Sequence, residues 1–250
     1  MGIAPAEIGW MATGQPGSFA APAASGPALA APDPALATPG PAAPALAVPL
    51  PVLPALRGLL PLGGLARGSV VAVAEFGLLC LALAAAASAD GAWCGIAGIP
   101  EAGVLAAAAF GLDAGRTLLV PEPGPSWPQV VASLLDGCEL VLLRPPAPAP
   151  GQVRRRLEAT LRRGRGVLLV AGDWPGAQLR LRVASQRWTG LGDGHGRLRA
   201  CRAEVMADGR GEAAVARTSW LWLPAEDGSV AAAAPLDLPA GPALRAVSGE

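Results

Sequence analysis

The chain contains no lysine and only one histidine, and these absences exclude several kinds of site. All 19 basic residues among its 250 are arginines. A Walker A phosphate loop needs a lysine to neutralise the phosphates, so a standard loop of this type is excluded. His195, the single histidine, stands between two glycines with no second histidine or cysteine nearby. We therefore expect no metal site, because zinc is normally held by several such ligands.

The cysteines are few and widely separated. Cys80, Cys94, Cys138 and Cys201 form no C-x-x-C pair. This spacing favours buried, reduced thiols over a disulfide framework or a zinc site. Residues 1–30 also lack a basic segment followed by a continuous apolar core, so we expect no secretory signal and a cytoplasmic protein.

Charge is scarce as well. Charged residues make up 15% of the chain and the formal net charge is zero, so bulk charge gives no argument for nucleic-acid or membrane affinity. Hydrophobic residues make up 52%, which is ample for a core. The one stretch near the length of a membrane span, Val70–Ala89, is interrupted by Glu75 and Gly77, and we expect no membrane association.

Composition divides the chain into three parts. Residues 1–49 are rich in Ala, Pro and Gly and predict a disordered arm, or an upstream extension from a misassigned start codon. Residues 50–223 carry the regular apolar pattern of a folded domain. Residues 224–250 predict a flexible C-terminal tail.

The folded part is organised around one strand and the helix that follows it. Ser69–Ala74 is apolar on both faces, as expected of a strand covered on both sides, and Leu78–Ala89 predicts an apolar helix. Further strands and helices then alternate. The predicted strands are 92–98, 116–120, 139–143 and 166–171, and the predicted helices are 101–111, 127–136 (with Ser126 as N-cap) and 152–163. This alternation indicates an α/β fold with a mostly parallel sheet flanked by helices.

The pattern changes after residue 178. Residues 179–183 and 198–205 alternate apolar and polar side chains on either side of the Gly-rich segment 190–196. Period-two alternation around such a turn predicts an antiparallel hairpin with one solvated face. A further strand is predicted at 219–223.

The turn between the first strand and helix lies where α/β proteins bind phosphates. Here it reads Glu75, Phe76, Gly77 and Leu78. The turn has no lysine, no hydroxyl for magnesium follows Gly77, and Glu75 would repel a phosphate. The sequence therefore predicts the architecture of a nucleotide site without its chemistry.

The order of elements from Gly63 to Val205 resembles the ATPase core of the RecA recombinase family. Residues 63–68 (GGLARG) resemble the approach to the P-loop strand, and 110–113 (FGLD) followed by 118–120 (LLV) resemble a later helix, turn and strand. Residues 140–143 (LVLL) resemble the Walker B strand, which should end in Asp. Arg144 follows instead, so two nucleotide motifs are degenerate.

A RecA-like core without ATPase residues, in a composition typical of GC-rich genomes, resembles the ImuA-prime family of actinobacterial mutasome accessory proteins. The similar phrases are Trp93-Cys94, Gly98-Ile99-Pro100, residues 123–128 (PGPSWP), 144–146 (RPP) and 188–192 (WTGLG). The resemblance spans about residues 50–223.

This resemblance implies a non-catalytic scaffold for damage-induced translesion DNA synthesis and mutagenesis. Its partners would be an ImuB-like inactive Y-family polymerase homologue and, through that protein, an error-prone C-family DNA polymerase, with DNA contact left open. No catalytic residue and no cofactor are implied. The alternatives are an ATPase with an atypical phosphate loop and a cell-division inhibitor built on a degenerate RecA-like fold.

Arginine and tryptophan supply the candidates for contact with a partner or DNA. The candidates are Arg154, Arg155, Arg156, Arg162, Arg163, Arg180, Arg182, Arg187, Trp188, Trp220 and Trp222. Arginine makes charge-assisted contacts to carboxylate and phosphate, and tryptophan is enriched at binding hot spots. The alternatives are a solvated helix face for the arginines, core packing for Trp188, and an edge strand for the segment 220–223.

Overall fold

The computed structural model describes residues 48–102, 108, 110–192 and 195–235. The strands are β1 Leu50–Pro51, β2 Gly64–Leu65, β3 Val70–Val73, β4 Cys94–Ala97, β5 Thr117–Val120, β6 Leu140–Leu143, β7 Val167–Ala171, β8 Leu179–Gly192, β9 His195–Gly209, β10 Arg217–Trp222 and β11 Ala231–Ala232. The helices are α1 Leu78–Ala89, α2 Trp127–Gly137 and α3 Gly151–Gly164.

One sheet of nine strands carries the fold, in the order β11-β10-β9-β8-β3-β7-β6-β4-β5. The strands from β8 to β5 run parallel, and β9, β10 and β11 continue the sheet antiparallel. The predicted α/β class, a mostly parallel sheet flanked by helices with a C-terminal antiparallel extension, is confirmed. β7 separates β3, the strand at the P-loop position, from β6, the strand at the Walker B position. This order is compatible with the RecA-like sheet.

Helix α1 has the bounds that the sequence predicts. It is buried nearly all round, with Ala82, Leu83 and Ala87 fully inaccessible to solvent. A helix in such a place carries no polar stripe, which is why its apolar residues follow no clear helical period. Within the part of the chain that the structure describes, no helix is long and apolar enough to cross a membrane.

Two apolar clusters lie on opposite faces of the sheet. The first joins α1 and a 3-10 turn at Pro54–Leu59 to inward side chains from β3, β8, β9 and β10. The second joins α2 and α3 to side chains from the parallel strands, and takes none from β8, β9 or β10. The antiparallel extension is therefore covered on one face only by the described clusters.

Two local predictions need correction. Ser126 stands before α2, but its side chain makes no capping hydrogen bond to the helix. The hairpin is longer than predicted, because β8 and β9 continue through most of the Gly-rich segment as far as Gly192 and from His195. The predicted helix 101–111 falls largely on residues 103–107 and 109, which lie outside the described residues.

Both predicted terminal segments are also only partly described. Residues 1–47 of the predicted arm and 236–250 of the predicted tail lie outside the described residues. The described portion of the tail includes β11, which pairs with β10 through Leu221 and Trp222.

Candidate functional site

The turn at the P-loop position connects β3 directly to α1. Glu75 in this turn is exposed, while Phe76 and Leu78 are half-buried against the first cluster. Gly77 precedes the helix in an extended conformation, and no side chain caps the helix at this position. The backbone N–H of Ala74 donates to the carbonyl of Leu181 at 2.9 Å, which ties the start of the turn to β8.

A cavity of about 210 Å³ lies between this turn and the hairpin. Its apolar lining includes Phe76, Leu78, Val183, Trp188 and Leu223. Glu75, Arg182 and Gln186 supply the polar part. The turn itself contains no basic residue, as the sequence shows, and Arg182 of β8 is among the residues that line the same cavity. The sequence did not indicate that contact, because Arg182 is more than one hundred residues from the turn.

Arg144, which follows the strand that the resemblance matches to Walker B, forms an ion pair with Glu101. Its guanidinium Nη2 donates to Glu101 Oε2 at 2.8 Å, and Nη1 donates to Oε1 in the same bidentate pair. Nε also donates to the carbonyl oxygen of Gly98 at 3.2 Å. These hydrogen bonds from Arg144 hold the pKa of the Glu101 carboxyl below its usual value. The segments that follow β4 and β6 are thus joined by a bidentate ion pair.

The arginines of α3 fall into two groups. Arg154 is half-buried and its Nη1 donates to the carbonyl of Ala149 at 2.9 Å, so it fastens the segment before the helix. The other predicted contact residues of this helix are exposed: Arg155, Arg156, Arg162 and Arg163. Glu158 lies between them and is half-buried.

The remaining predicted arginines meet two tryptophans on the uncovered side of the antiparallel extension. Arg187 on β8, Arg202 on β9 and Trp222 on β10 occupy one row of cross-strand partners. The next row is Ser185, Glu204 and Trp220. Further rows place Arg182 beside Met206 and Thr218, and Arg180 beside Asp208. We call this surface, made by the side chains of these eleven residues, the open face.

A β-bulge brings these arginines to one side. The pairing of β8 with β9 shifts its register between Val183 and Ser185. In a regular strand, Arg182 and Arg187 would point to opposite faces, because their separation is an odd number of residues. The bulge changes that alternation, so Arg187 joins Arg180 and Arg182.

Trp188 therefore lies on the other face. It pairs with Cys201, which belongs to the first cluster, and it lines the cavity beside the P-loop-position turn. Its exposed fraction is 38%. The sequence grouped Trp188 with Arg187 as neighbours in the chain, but the structure separates them.

Arg202 belongs to the hairpin that the sequence predicts, and it is the one arginine of the open face absent from the candidates named above. Its guanidinium carbon lies 4.8 Å from the centroid of the Trp222 ring, which is a cation–π contact. Its Nε is buried and has no hydrogen-bond partner among the described residues. Cross-strand pairing with Arg187 and Trp222, and not position in the chain, identifies it.

The cysteines are all buried and carry no disulfide. Burial raises the pKa of the Cys80 thiol to about 11, and it raises the pKa of Cys94 to about 11 as well. Thiols with such pKa values stay protonated near neutral pH, so neither is suited to act as a nucleophile.

The fold defines a class: an α/β protein with a mostly parallel sheet whose strand order is compatible with the RecA-like arrangement. The family model described as MT3502 N-terminal domain matches residues 58–176. The matched part runs through the parallel half of the sheet and ends before β8. The chain is also similar to the uncharacterized protein Rv3395c of Mycobacterium tuberculosis, with 34% identity over 127 residues. That alignment covers 49% of this chain and 62% of the mycobacterial protein. The chain therefore spans less than two thirds of its relative's length.

Proposed function

We propose that this protein is a non-catalytic accessory protein of the ImuA-prime type, acting in the cytoplasm. It would bridge an ImuB-like inactive Y-family polymerase homologue and, through that protein, an error-prone C-family DNA polymerase. In this role it supports translesion DNA synthesis and induced mutagenesis after DNA damage. The similar phrases in residues 93–192 support assignment to the ImuA-prime family. That family is actinobacterial, and the similarity to a mycobacterial protein agrees with this.

The observation that carries the non-catalytic part is the Arg144–Glu101 ion pair. In a phosphoryl-transfer site of this type, the strand at the β6 position presents an Asp that holds magnesium. Arg144 places a positive charge there, and Glu101 is already engaged by it through two hydrogen bonds. The turn at Glu75 adds a negative charge where phosphates would lie. Both ends of the nucleotide position thus oppose binding of a magnesium–nucleotide complex.

Calorimetric titration of the full chain with ATP and magnesium tests this part. We expect no binding at micromolar affinity, and micromolar binding would favour the alternative of an ATPase with an atypical loop. A Trp188→Ala variant serves as the control, because Trp188 lines the cavity and does not belong to the open face. Heat that disappears in this variant would identify occupancy of the cavity by ATP and would contradict the proposal.

Association with the polymerase homologue tests the scaffold part. The full chain, tagged and expressed with the ImuB-like protein of the same genome, should retain that protein on an affinity resin without added nucleotide. Deletion of the gene should lower the frequency of ultraviolet-induced mutations, and the intact gene should restore it. Retention of a cell-division protein instead, with an unchanged mutation frequency, would favour the division-inhibitor alternative.

A further inference from the structure

We propose that the open face binds single-stranded DNA, with arginines on the phosphates and tryptophans stacked on the bases. The inference goes beyond the scaffold role, which leaves DNA contact open, and it depends only on the arrangement of the antiparallel extension. It would therefore stand if the polymerase partners proved to be different proteins.

The first argument is that a polar and aromatic sheet face is left uncovered by the described helices. The cluster beneath α2 and α3 takes no side chain from β8, β9 or β10. Trp220 and Trp222 lie on that side and are only partly buried, while Leu221 between them is fully buried on the other side. Two partly accessible aromatic rings on one sheet face can serve as a binding surface.

The second argument is the spacing of the aromatic rings. Alternate residues of a strand lie about 7 Å apart on the same face, so Trp220 and Trp222 present two separate rings in a row. Each ring can receive one base, and stacking on aromatic side chains of a sheet is a general way to hold unpaired bases. A duplex keeps its bases stacked inside, so only a single strand can use both rings.

The third argument is charge. Within the open face, four arginines (Arg180, Arg182, Arg187 and Arg202) stand against two acids, Glu204 and Asp208, while Glu226 and Asp227 line a separate cavity beside Trp222. Neither of the salt bridges found among the described residues involves the open face. Glu204 accepts a hydrogen bond from the Ser185 hydroxyl at 3.2 Å. The arginines therefore keep charge that phosphates can neutralise.

Arg202 links the two kinds of contact. Its guanidinium is held against the Trp222 ring at 4.8 Å, and its Nε has no partner among the described residues. A guanidinium held by stacking keeps its outer N–H groups for an anion, while the same ring can stack on a base. A phosphate would thus contact the Arg202 guanidinium while the adjoining base stacks on the Trp222 ring beside it.

The far end of the face leads into a shallow cavity. Arg180, Arg182 and Asp208 line it together with Gly172 and Asp173, and its volume is about 280 Å³. The carboxylates at this end repel phosphate, so we place the phosphate path along Arg182, Arg187 and Arg202.

Fluorescence anisotropy of a labelled 20-nucleotide oligothymidylate with the full chain tests the proposal. We expect binding that weakens steeply as salt is raised, because phosphate contacts release counterions. A duplex of the same length should bind about tenfold more weakly, since it cannot stack its bases on the tryptophans. Equal affinity for duplex and single strand would contradict the stacking arrangement.

Two charge-reversal variants, one on the open face and one on α3, are compared for their affinity for the oligonucleotide. The double variant Arg182→Glu with Arg187→Glu changes two exposed arginines of the open face, and it should lower affinity by at least about tenfold. The double variant Arg155→Glu with Arg156→Glu makes the same change on α3 and should bind like the parent. Thermal melting of both variants checks that each remains folded. Loss of binding in the α3 variant alone would overturn the proposal.

Other occupants of the face are outcomes of the same experiment. A polyglutamate peptide that competes as strongly as the oligonucleotide would identify an acidic protein partner and reject the DNA assignment. A parent protein that elutes as a dimer, together with a monomeric open-face variant, would identify a second copy instead. The open-face variant should still retain the ImuB-like protein; loss of both partners would reassign the face to the protein complex.

Discussion

At the scale of single residues, Gly98 and Arg144 explain how the strand ends at the nucleotide position are joined. Gly98 follows β4 with a φ of 73°, and a Cβ placed on it would overlap the carbonyl oxygen of Arg144. The close approach lets Arg144 donate from Nε to the Gly98 carbonyl and also reach Glu101. Glycine is required here for two reasons, the left-handed backbone and the lack of space.

We predict that Gly98→Ala lowers the free energy of unfolding by about 3 kcal/mol or more, because strain and overlap with backbone act together. Urea unfolding followed by circular dichroism measures the change. Gly63→Ala is the control, since Gly63 has a similar φ of 64° but nothing within 4 Å of the added methyl. That variant should lose only about 1 kcal/mol, the usual cost of a left-handed alanine. Equal losses in the two variants would show that the contact with Arg144 adds nothing.

At the scale of elements, helix α1 and strand β8 follow different rules. The helix is apolar all round because the first cluster encloses it, so packing and not amphipathicity holds it in place. The strand is amphipathic, and its bulge between Val183 and Ser185 decides which arginines share a face. Burial therefore specifies the position of helix α1, and the pairing register specifies which side chains of β8 lie on each face.

We predict that Leu83→Ala in α1 destabilises the protein by about 3 kcal/mol, because the side chain is fully buried and leaves a cavity. The same measurement on Leu62→Ala is the control, as Leu62 is 50% exposed in a surface turn. Its loss should stay within about 0.5 kcal/mol. A similar loss at both positions would mean that α1 is not enclosed as described.

At the scale of the whole molecule, the described residues cover the parallel half of the sheet on both faces and the antiparallel half on one. Strand β1 completes the covered side, with Leu50 only 2% exposed and paired with Leu65 of β2. Just before it, the Val48 carbonyl accepts a hydrogen bond from Arg67 Nε at 3.1 Å. These contacts tie residues 48–50 to the segment 65–67.

We predict that a shortened protein beginning at Val48 melts at the same temperature as the full chain. The reason is composition, since the Ala, Pro and Gly content of the predicted arm 1–49 opposes formation of a core. A protein beginning at Ala55 should melt several degrees lower, because it lacks Leu50 and Val52, which are both buried. A large loss already at Val48 would show that the arm packs against the domain.

The alternation of elements and the bounds of α1 could be predicted because each depends on local pattern. The strand β3 reads as apolar on both faces, and the missing lysine of the phosphate turn is a fact of composition. The pairing of Arg144 with Glu101 could not be predicted in this way, since the two residues are 43 positions apart and meet only when β4 and β6 lie side by side. The same holds for Arg182 beside the phosphate turn.

The sequence by itself determined the fold class and the loss of the phosphate-binding lysine, because apolar periodicity and residue type are local properties. Only the tertiary structure decided which arginines and tryptophans share a surface. A single bulge in β8 moves Arg187 to the side of Arg182 and sends Trp188 to the opposite side. The reason is geometric: side chains alternate along a strand, so one extra residue reverses every side chain beyond it, and only the pairing with β9 shows where that residue lies.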